Sequence, residues 1–129
     1  MSQEELSAFR ENIKNTIEWC ESNGIKCLFL IAPNKHSVYP ENYLSIRPEG
    51  ICRVDQLISI MDELNAEYIY PKDLFIEKKK QTDIPLYYET DTHWNPLGAY
   101  YAFKEIQGKL NKLFPDVSFP EIEYDTKVE

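Results

Sequence analysis

The sequence predicts an α/β domain of three layers, α/β/α, in which a parallel sheet is covered by helices on both faces. Three features predict it. An amphipathic stripe over 2–22 closes on Asn23-Gly24, a nearly uninterrupted apolar run from Ile25 to Ala32 follows at once, and the same helix-then-strand order returns between Arg53 and Tyr70. Hairpin sheets alternate apolar with polar residues because one face meets water. Strands buried on both faces read as continuous apolar runs and belong to parallel sheets.

The elements follow in order. Leu6, Phe9, Ile13, Ile17 and Cys20 recur at spacings of three and four, with Glu, Lys and Asn on the other faces, which makes 2–22 the first helix. Asn23-Gly24 is the pair best able to take the left-handed conformation that ends a helix. The run Ile25 to Ala32 is the first strand, stopped by Pro33, and the loop from Pro33 to Pro40 leaves from the carboxyl edge of the sheet, where open α/β sheets place their ligands. Val54, Leu57, Ile58, Met61 and Leu64 give a second helix over 53–65, and Glu67 to Tyr70 a second strand stopped by Pro71. Residues 72–80 form one or two helical turns around Leu74, Phe75 and Ile76, and a polar connection leads to Pro85-Leu86-Tyr87-Tyr88.

Asn95 is a good N-cap, and Pro96 sits at the first helical position, where its missing N–H costs nothing. Ala99, Tyr100, Phe103, Ile106, Leu110 and Leu113 then continue an apolar face until Pro115. The domain therefore spans 1–116, and 117–129 is an acidic tail or an incipient strand with weak alternation at Phe119, Ile122 and Tyr124. Two firm strands and one further candidate fall short of the roughly four to six of a typical sheet. The domain is expected to be partial, a piece of a larger α/β unit.

Composition narrows the function. The 129 residues carry 14 Lys+Arg against 22 Asp+Glu, a net charge of −8 that disfavours nucleic-acid backbones and anionic membranes, both of which need clustered cations. With 43% hydrophobic and 13% aromatic residues, the chain has the material for a core and is not a disordered segment. Lys78-Lys79-Lys80 reads as a solvated face. No apolar stretch approaches the roughly 20 residues of a membrane span, and the start, Met1-Ser2-Gln3-Glu4-Glu5, is acidic where a secretory signal is basic. As written, nothing in the chain exports or anchors it. Cys20, Cys27 and Cys52 make an odd count without a C-x-x-C, so neither a disulfide framework nor a zinc site is encoded; Cys20 with Cys27 is the one optional pair, and free thiols are the plainer reading.

The segment richest in chemistry is Tyr87-Tyr88-Glu89-Thr90-Asp91-Thr92-His93-Trp94-Asn95-Pro96-Leu97-Gly98-Ala99. A turn can bring the Asp91 carboxylate to one ring nitrogen of His93, fixing the tautomer and leaving the other nitrogen to face a nucleophile. That is an orienter and a general base. Gly98 and Ala99 are small enough for the helix to pack closely on the sheet and hold His93 at its edge, while Trp94 either fills core or walls a pocket. The bland reading is that most Asp-x-His triplets are surface loop residues. A metal would need further ligands, and the only other histidine, His36, sits beside Lys35 in a setting poor for a divalent ion, so no metal is assigned. No carboxylate pair stands out for glycoside hydrolysis. Ser37, beside His36, lacks the glycine a strained nucleophile turn needs.

The block from Asp91 to Ala99, together with Leu28-Phe29-Leu30-Ile31-Ala32-Pro33-Asn34-Lys35-His36-Ser37-Val38-Tyr39-Pro40, resembles the SGNH-hydrolase-like domain of the alginate O-acetyltransferase proteins and their relatives. The resemblance covers roughly Ile13 to Phe114; the Asp-x-His-Trp block is fairly specific, and the Pro-x-Lys-x-Ser-x-Tyr-Pro block supports it. It implies an SGNH-like, flavodoxin-like sheet, with Asp91 as orienter and His93 as base of a Ser-His-Asp triad that moves acetyl groups onto hydroxyls of an exported polysaccharide. The implied partners are that polysaccharide and an acetyl donor, with no cofactor, and the implied compartment is extracytoplasmic, periplasmic or cell-surface. Lys35 and Tyr39 match the family's loop and are candidates for lining the cleft; the plainer alternative has Lys35 solvated and Tyr39 packed beneath the loop. Trp94 and Tyr87 are further candidates for substrate contact, since flat rings beside such a loop suit a sugar as well as a core.

One departure qualifies the match. In the family the nucleophilic serine lies downstream of the Asp-x-His block in a Gly-Asp-Ser-like turn, and Ser118, the only serine after His93, lacks the small neighbours of such a turn. The chain is therefore expected to hold the acid–base half of a site, with the serine and the oxyanion donors outside it and negligible turnover of its own. The rival readings are a non-catalytic module binding polysaccharide or a partner protein, and a fragment whose sheet is completed by another chain or by self-association.

Overall fold

The computed structural model describes residues 1–43 and 52–123. In chain order its elements are helix α1 (Gln3–Ser22), strand β1 (Phe29–Leu30), helix α2 (Lys35–Val38), a single 3-10 turn (Pro40–Asn42), helix α3 (Arg53–Glu63), strand β2 (Tyr68–Ile69), helix α4 (Lys72–Lys78) and helix α5 (Pro96–Leu113). They fall into two compact units, one from residues 1–30 and 52–69, the other from 31–43 and 70–123.

In the first unit α1 is opened by Ser2. Its hydroxyl accepts from the Glu5 N–H while the Glu5 carboxylate accepts from the Ser2 N–H, so two otherwise orphaned donors are satisfied reciprocally. Gly24, at φ 67°, closes the helix. Its N–H donates to Glu21 O at 3.0 Å and that of Ile25 to Cys20 O at 2.8 Å, the two bonds of a left-handed C-terminal cap. Asn65, at φ 51°, ends α3 in the same way, with the Ala66 N–H on Met61 O. Helix α1 packs on α3. β1 and β2 pair in parallel, Phe29 opposite Tyr68 and Leu30 opposite Ile69.

The α/β class and the parallel pairing hold, but the strands are shorter than the apolar run suggests and are not buried on both faces. Leu30 is 42% exposed and Ile25 46%. Among the described residues the sheet has these two strands only, and a strand with one paired neighbour leaves much of its surface uncovered. All three cysteines are free thiols; burial, and then a hydrogen bond with Cys20, push the Cys27 thiol above its ordinary pKa.

The second unit is built around Val38, Phe75, Leu86, Tyr87, Leu97 and Ala102, with Tyr39, Leu74, Ile76, Trp94 and Tyr101 packed against them. Asn95 caps α5 as expected, its side-chain oxygen accepting from the Gly98 N–H at 3.0 Å. The buried face of α5 is rotated from the one its large apolar residues suggest. Leu97, Gly98, Ala102 and Gln107 are buried and Ala99 is exposed. Gly98 lies on that buried face, where a Cβ would crowd Leu86 O and Trp94 Cβ. The close approach at Gly98 is made against residues 86 and 94, where the sequence pointed to the sheet, and Ala99 is exposed.

Two segments differ from expectation. The stretch after Pro33 is not all loop but contains α2 and the 3-10 turn. Lys79, read as part of a solvated face, has a side chain only 15% exposed. Its ammonium donates to Val38 O and to the Glu41 carboxylate and lies 4.8 Å from the Tyr39 ring centroid, so one cation ties the end of α2 to α4. Described residues 114–123 form no helix or strand, although the Gln107 amide reaches Pro120 O at 2.6 Å. Tyr124 and the rest of the acidic tail lie outside the described residues.

Candidate active site

The Asp91–His93 segment is the tip of a short antiparallel hairpin. The Asn95 N–H donates to Leu86 O at 2.9 Å and the Tyr88 N–H to His93 O at 3.2 Å, which makes Tyr87 and Trp94 the directly opposed pair. Side chains alternate faces along each strand, so Tyr87 and Trp94 share one face and Tyr88 and His93 the other. Exposure follows this alternation: Tyr87 is 2% exposed and Tyr88 50%. Trp94 is half-buried, its ring 5.8 Å from that of Phe75, so of the two alternatives left by the sequence its ring fills core.

At the tip, Asp91 Oδ1 lies 2.7 Å from His93 Nδ1 and also accepts from the His93 backbone N–H at 3.1 Å. The second bond is an Asx turn, the local closure that aspartate favours. An ionised carboxylate only accepts, so Nδ1 carries the hydrogen of this contact, and whenever the ring is neutral Nε2 is the nitrogen with the lone pair. The His93 side chain is 81% exposed. The hydrogen bond from the imidazole, and then that from the His93 backbone N–H, hold the Asp91 carboxyl below the usual aspartate range. The pair is thus an ionised carboxylate orienting an exposed imidazole through its Nδ1.

Residues 33–39 grip this hairpin at three heights. The Lys35 ammonium donates to Tyr88 O at 2.6 Å, Glu89 O at 2.8 Å and Asp91 O at 3.3 Å. The Tyr39 hydroxyl accepts from the Leu86 N–H at 3.0 Å, and the buried Tyr87 hydroxyl donates to Pro33 O at 2.6 Å. Burial pushes the Tyr87 phenol well above its ordinary pKa, so it remains a donor. Lys35, Tyr39, Asn42, Pro85, Tyr87 and Glu89 surround a cavity of about 230 Å³. The structure therefore joins Lys35, Tyr39, Tyr87, Asp91 and His93 in one locality, with Trp94 behind the hairpin.

Asn42 and Glu89 belong to this locality too and were not singled out from the sequence, whereas Tyr88 belongs to it as one of the rings that suit a sugar. For the face its ring takes the signal existed. Once 87–94 is read as a hairpin, period-two alternation sends Tyr87 inward with Trp94 and Tyr88 outward with His93.

Residues 2–128 match the model of the family described as the SGNH hydrolase-like domain of the acetyltransferase AlgX. The chain belongs to this family. The matched span includes both the Lys35 loop and the Asp91–His93 hairpin, so the SGNH hydrolase-like domain carries the whole locality described above. Among curated proteins, the probable alginate O-acetylase AlgJ of Pseudomonas syringae pv. tomato is 27% identical over 103 residues, 78% of this chain and 26% of its own. The probable alginate O-acetylase AlgJ of Pseudomonas fluorescens is 28% identical over 88 residues, 67% of this chain and 22% of its own. The chain spans about a quarter of the length of these relatives. No solved structure matches.

Proposed function

We propose that this SGNH hydrolase-like chain supplies the Asp–His pair of a Ser-His-Asp triad that works on acetyl esters of polysaccharide hydroxyls. The observation that carries the reading is the 2.7 Å contact between Asp91 Oδ1 and His93 Nδ1, which leaves Nε2 as a base on an exposed imidazole. In this reading the serine and the oxyanion donors come from outside these residues, within a longer polypeptide or from a partner chain. As the serine attacks the donor's acetyl carbonyl, His93 Nε2 takes the Oγ proton and Asp91 balances the imidazolium. The proton passes to the leaving group as the acyl-serine forms. A sugar hydroxyl, or water, then gives its proton to His93 and attacks the acyl-serine; the acyl–Oγ bond breaks, His93 returns the proton to the serine Oγ, and the acetylated sugar or acetate is released.

The names of the relatives support a polysaccharide acceptor, and the cavity bounded by Lys35, Tyr39 and Tyr87 beside the hairpin supports a cleft for it. The exposed ring of Tyr88 shares the face of His93. We further take the two parallel strands as part of a larger three-layer sheet, and the site of action as outside the cytoplasm, in the periplasm or at the cell surface. No helix among the described residues is long and apolar enough to cross a membrane.

The test is acetyl-ester turnover by a longer protein that includes the serine. His93→Ala is expected to lower the rate by about 10²–10⁴-fold, the usual worth of a positioned general base, and the 129-residue chain alone to be inactive. Turnover by that chain alone, abolished by His93→Ala, would sink the proposal by placing the nucleophile inside it; so would unaltered transfer in the longer variant. The exposed Tyr88 and the adjoining cavity favour one second reading, a glycan-binding module. It would show as binding that survives His93→Ala and is lost in Tyr88→Ala.

A further inference from the structure

The Asp91–His93 pair sits where a chain is ordinarily least fixed. Residues 88 to 93 are all exposed, and the hairpin carrying them has only the backbone bonds at Leu86–Asn95 and Tyr88–His93. Exposed loop tips sample many conformations, whereas a base and its orienter serve only when held close to one geometry. Something must order the turn.

The Lys35 ammonium is placed to do so. It comes from the first residue of α2, more than 50 residues away in sequence, and meets the carbonyl oxygens of Tyr88, Glu89 and Asp91 at 2.6, 2.8 and 3.3 Å. Three acceptors match its three N–H groups. The carbonyls lie on both sides of Thr90, so the turn is closed around one cation with its oxygens directed inward. One of them is Asp91's own carbonyl, whose backbone also bears the carboxylate that meets His93 at Nδ1 and at the backbone N–H. The reach of the ammonium is set from the same loop: Tyr39 holds the hairpin base at the Leu86 N–H, and the Tyr87 hydroxyl holds Pro33 O, two residues before Lys35.

We propose that Lys35 is a positioning residue, a three-point clamp on the 88–91 turn that keeps the Asp91 carboxylate on His93 Nδ1, and not a group that binds substrate. An ammonium, compact and tetrahedral, satisfies three convergent carbonyls; a planar guanidinium directs its donors in one plane and does not. The catalytic importance of the clamp rests on the function proposed above, but the clamp itself is a property of this chain and is tested without turnover.

The experiment is nitrogen and proton NMR of His93 in the 129-residue chain and in Lys35→Met. The wild type is expected to show the Nδ1–H tautomer in its ring nitrogen shifts. Lys35→Met, with the Trp94 indole signal still in its native place, is expected to show a mixture of tautomers. A folded Lys35→Met with the wild-type His93 signature overturns the clamp. If Lys35→Met does not fold, Lys35→Arg is read by the same criterion: a reduced share of the Nδ1–H tautomer supports the three-point geometry, and an unchanged one overturns it. The two readings fail separately. Acetyl transfer that ignores His93→Ala in the longer protein removes the catalytic role and leaves the clamp standing, whereas a native His93 signature without Lys35 removes the clamp alone.

Discussion

Alanine at position 98 would place its Cβ 2.4 Å from Leu86 O and 2.9 Å from Trp94 Cβ, both well inside ordinary contact distance. To relieve the first contact, α5 and the hairpin must part by about 1 Å, and overpacking of this kind costs about 1–3 kcal/mol. The Leu86 carbonyl is not free to yield. It accepts from the Asn95 N–H at 2.9 Å, and the Leu86 N–H is held by Tyr39, so movement weakens a hydrogen bond worth about 1 kcal/mol. Against this, alanine in place of glycine in a helix gains about 1 kcal/mol. The expected net loss for Gly98→Ala is about 1–3 kcal/mol, a fall in Tm of roughly 4–12 °C for a domain of this size. Gly108→Ala in the same helix is the control, because a Cβ there meets nothing within 4 Å, and it should be neutral or stabilising by up to about 1 kcal/mol. Urea unfolding followed by circular dichroism measures both. Equal stability changes in the two variants would refute the claim that a close helix–hairpin approach at Gly98 positions the site.

Two further outcomes follow from the same contacts. Tyr87→Phe removes the donor to Pro33 O and is expected to destabilise by about 1–3 kcal/mol in urea titration; a change below about 0.5 kcal/mol would mean that the carbonyl finds another partner. The Asp91 carboxyl is held below its ordinary value of 3.8, so its pairing with His93 is fully present above that value and is lost as pH falls through the lower, folded-state value. The His93 backbone N–H should therefore titrate with a midpoint under 3.8, and Asp91→Asn should abolish that step; a midpoint at or above 3.8 contradicts the assigned bonds.

How much was legible can be judged element by element. The N-cap at Asn95, the Gly24 stop and the helices α1, α3 and α4 are local events, decided by residues within a few positions, and all are readable in the chain. The strand lengths were not, because an apolar run records what prefers burial without recording which neighbour covers it. The run from Ile25 to Ala32 thus yields a strand of two residues with Leu30 partly in water. The pairing of Asp91 with His93 is likewise local, two residues apart, and the sequence alone pointed to it.

What the sequence by itself determined is therefore the α/β order, the helix ends and the Asp91–His93 contact, since each depends on short-range backbone preference and side-chain type. Only the tertiary structure decided where the cations went. Lys35 and Lys79 look alike as solvated lysines, yet each ammonium meets carbonyls from a segment far away in the chain, at Tyr88, Glu89 and Asp91 for one and at Val38 for the other. The same holds for the two adjacent tyrosines, of which the buried one, Tyr87, became a brace to Pro33 and the exposed one, Tyr88, a companion to His93. The physical reason is range: a long side chain's partner is chosen by which backbone carbonyls the fold brings within about 3 Å, and no local pattern of residues encodes that distance.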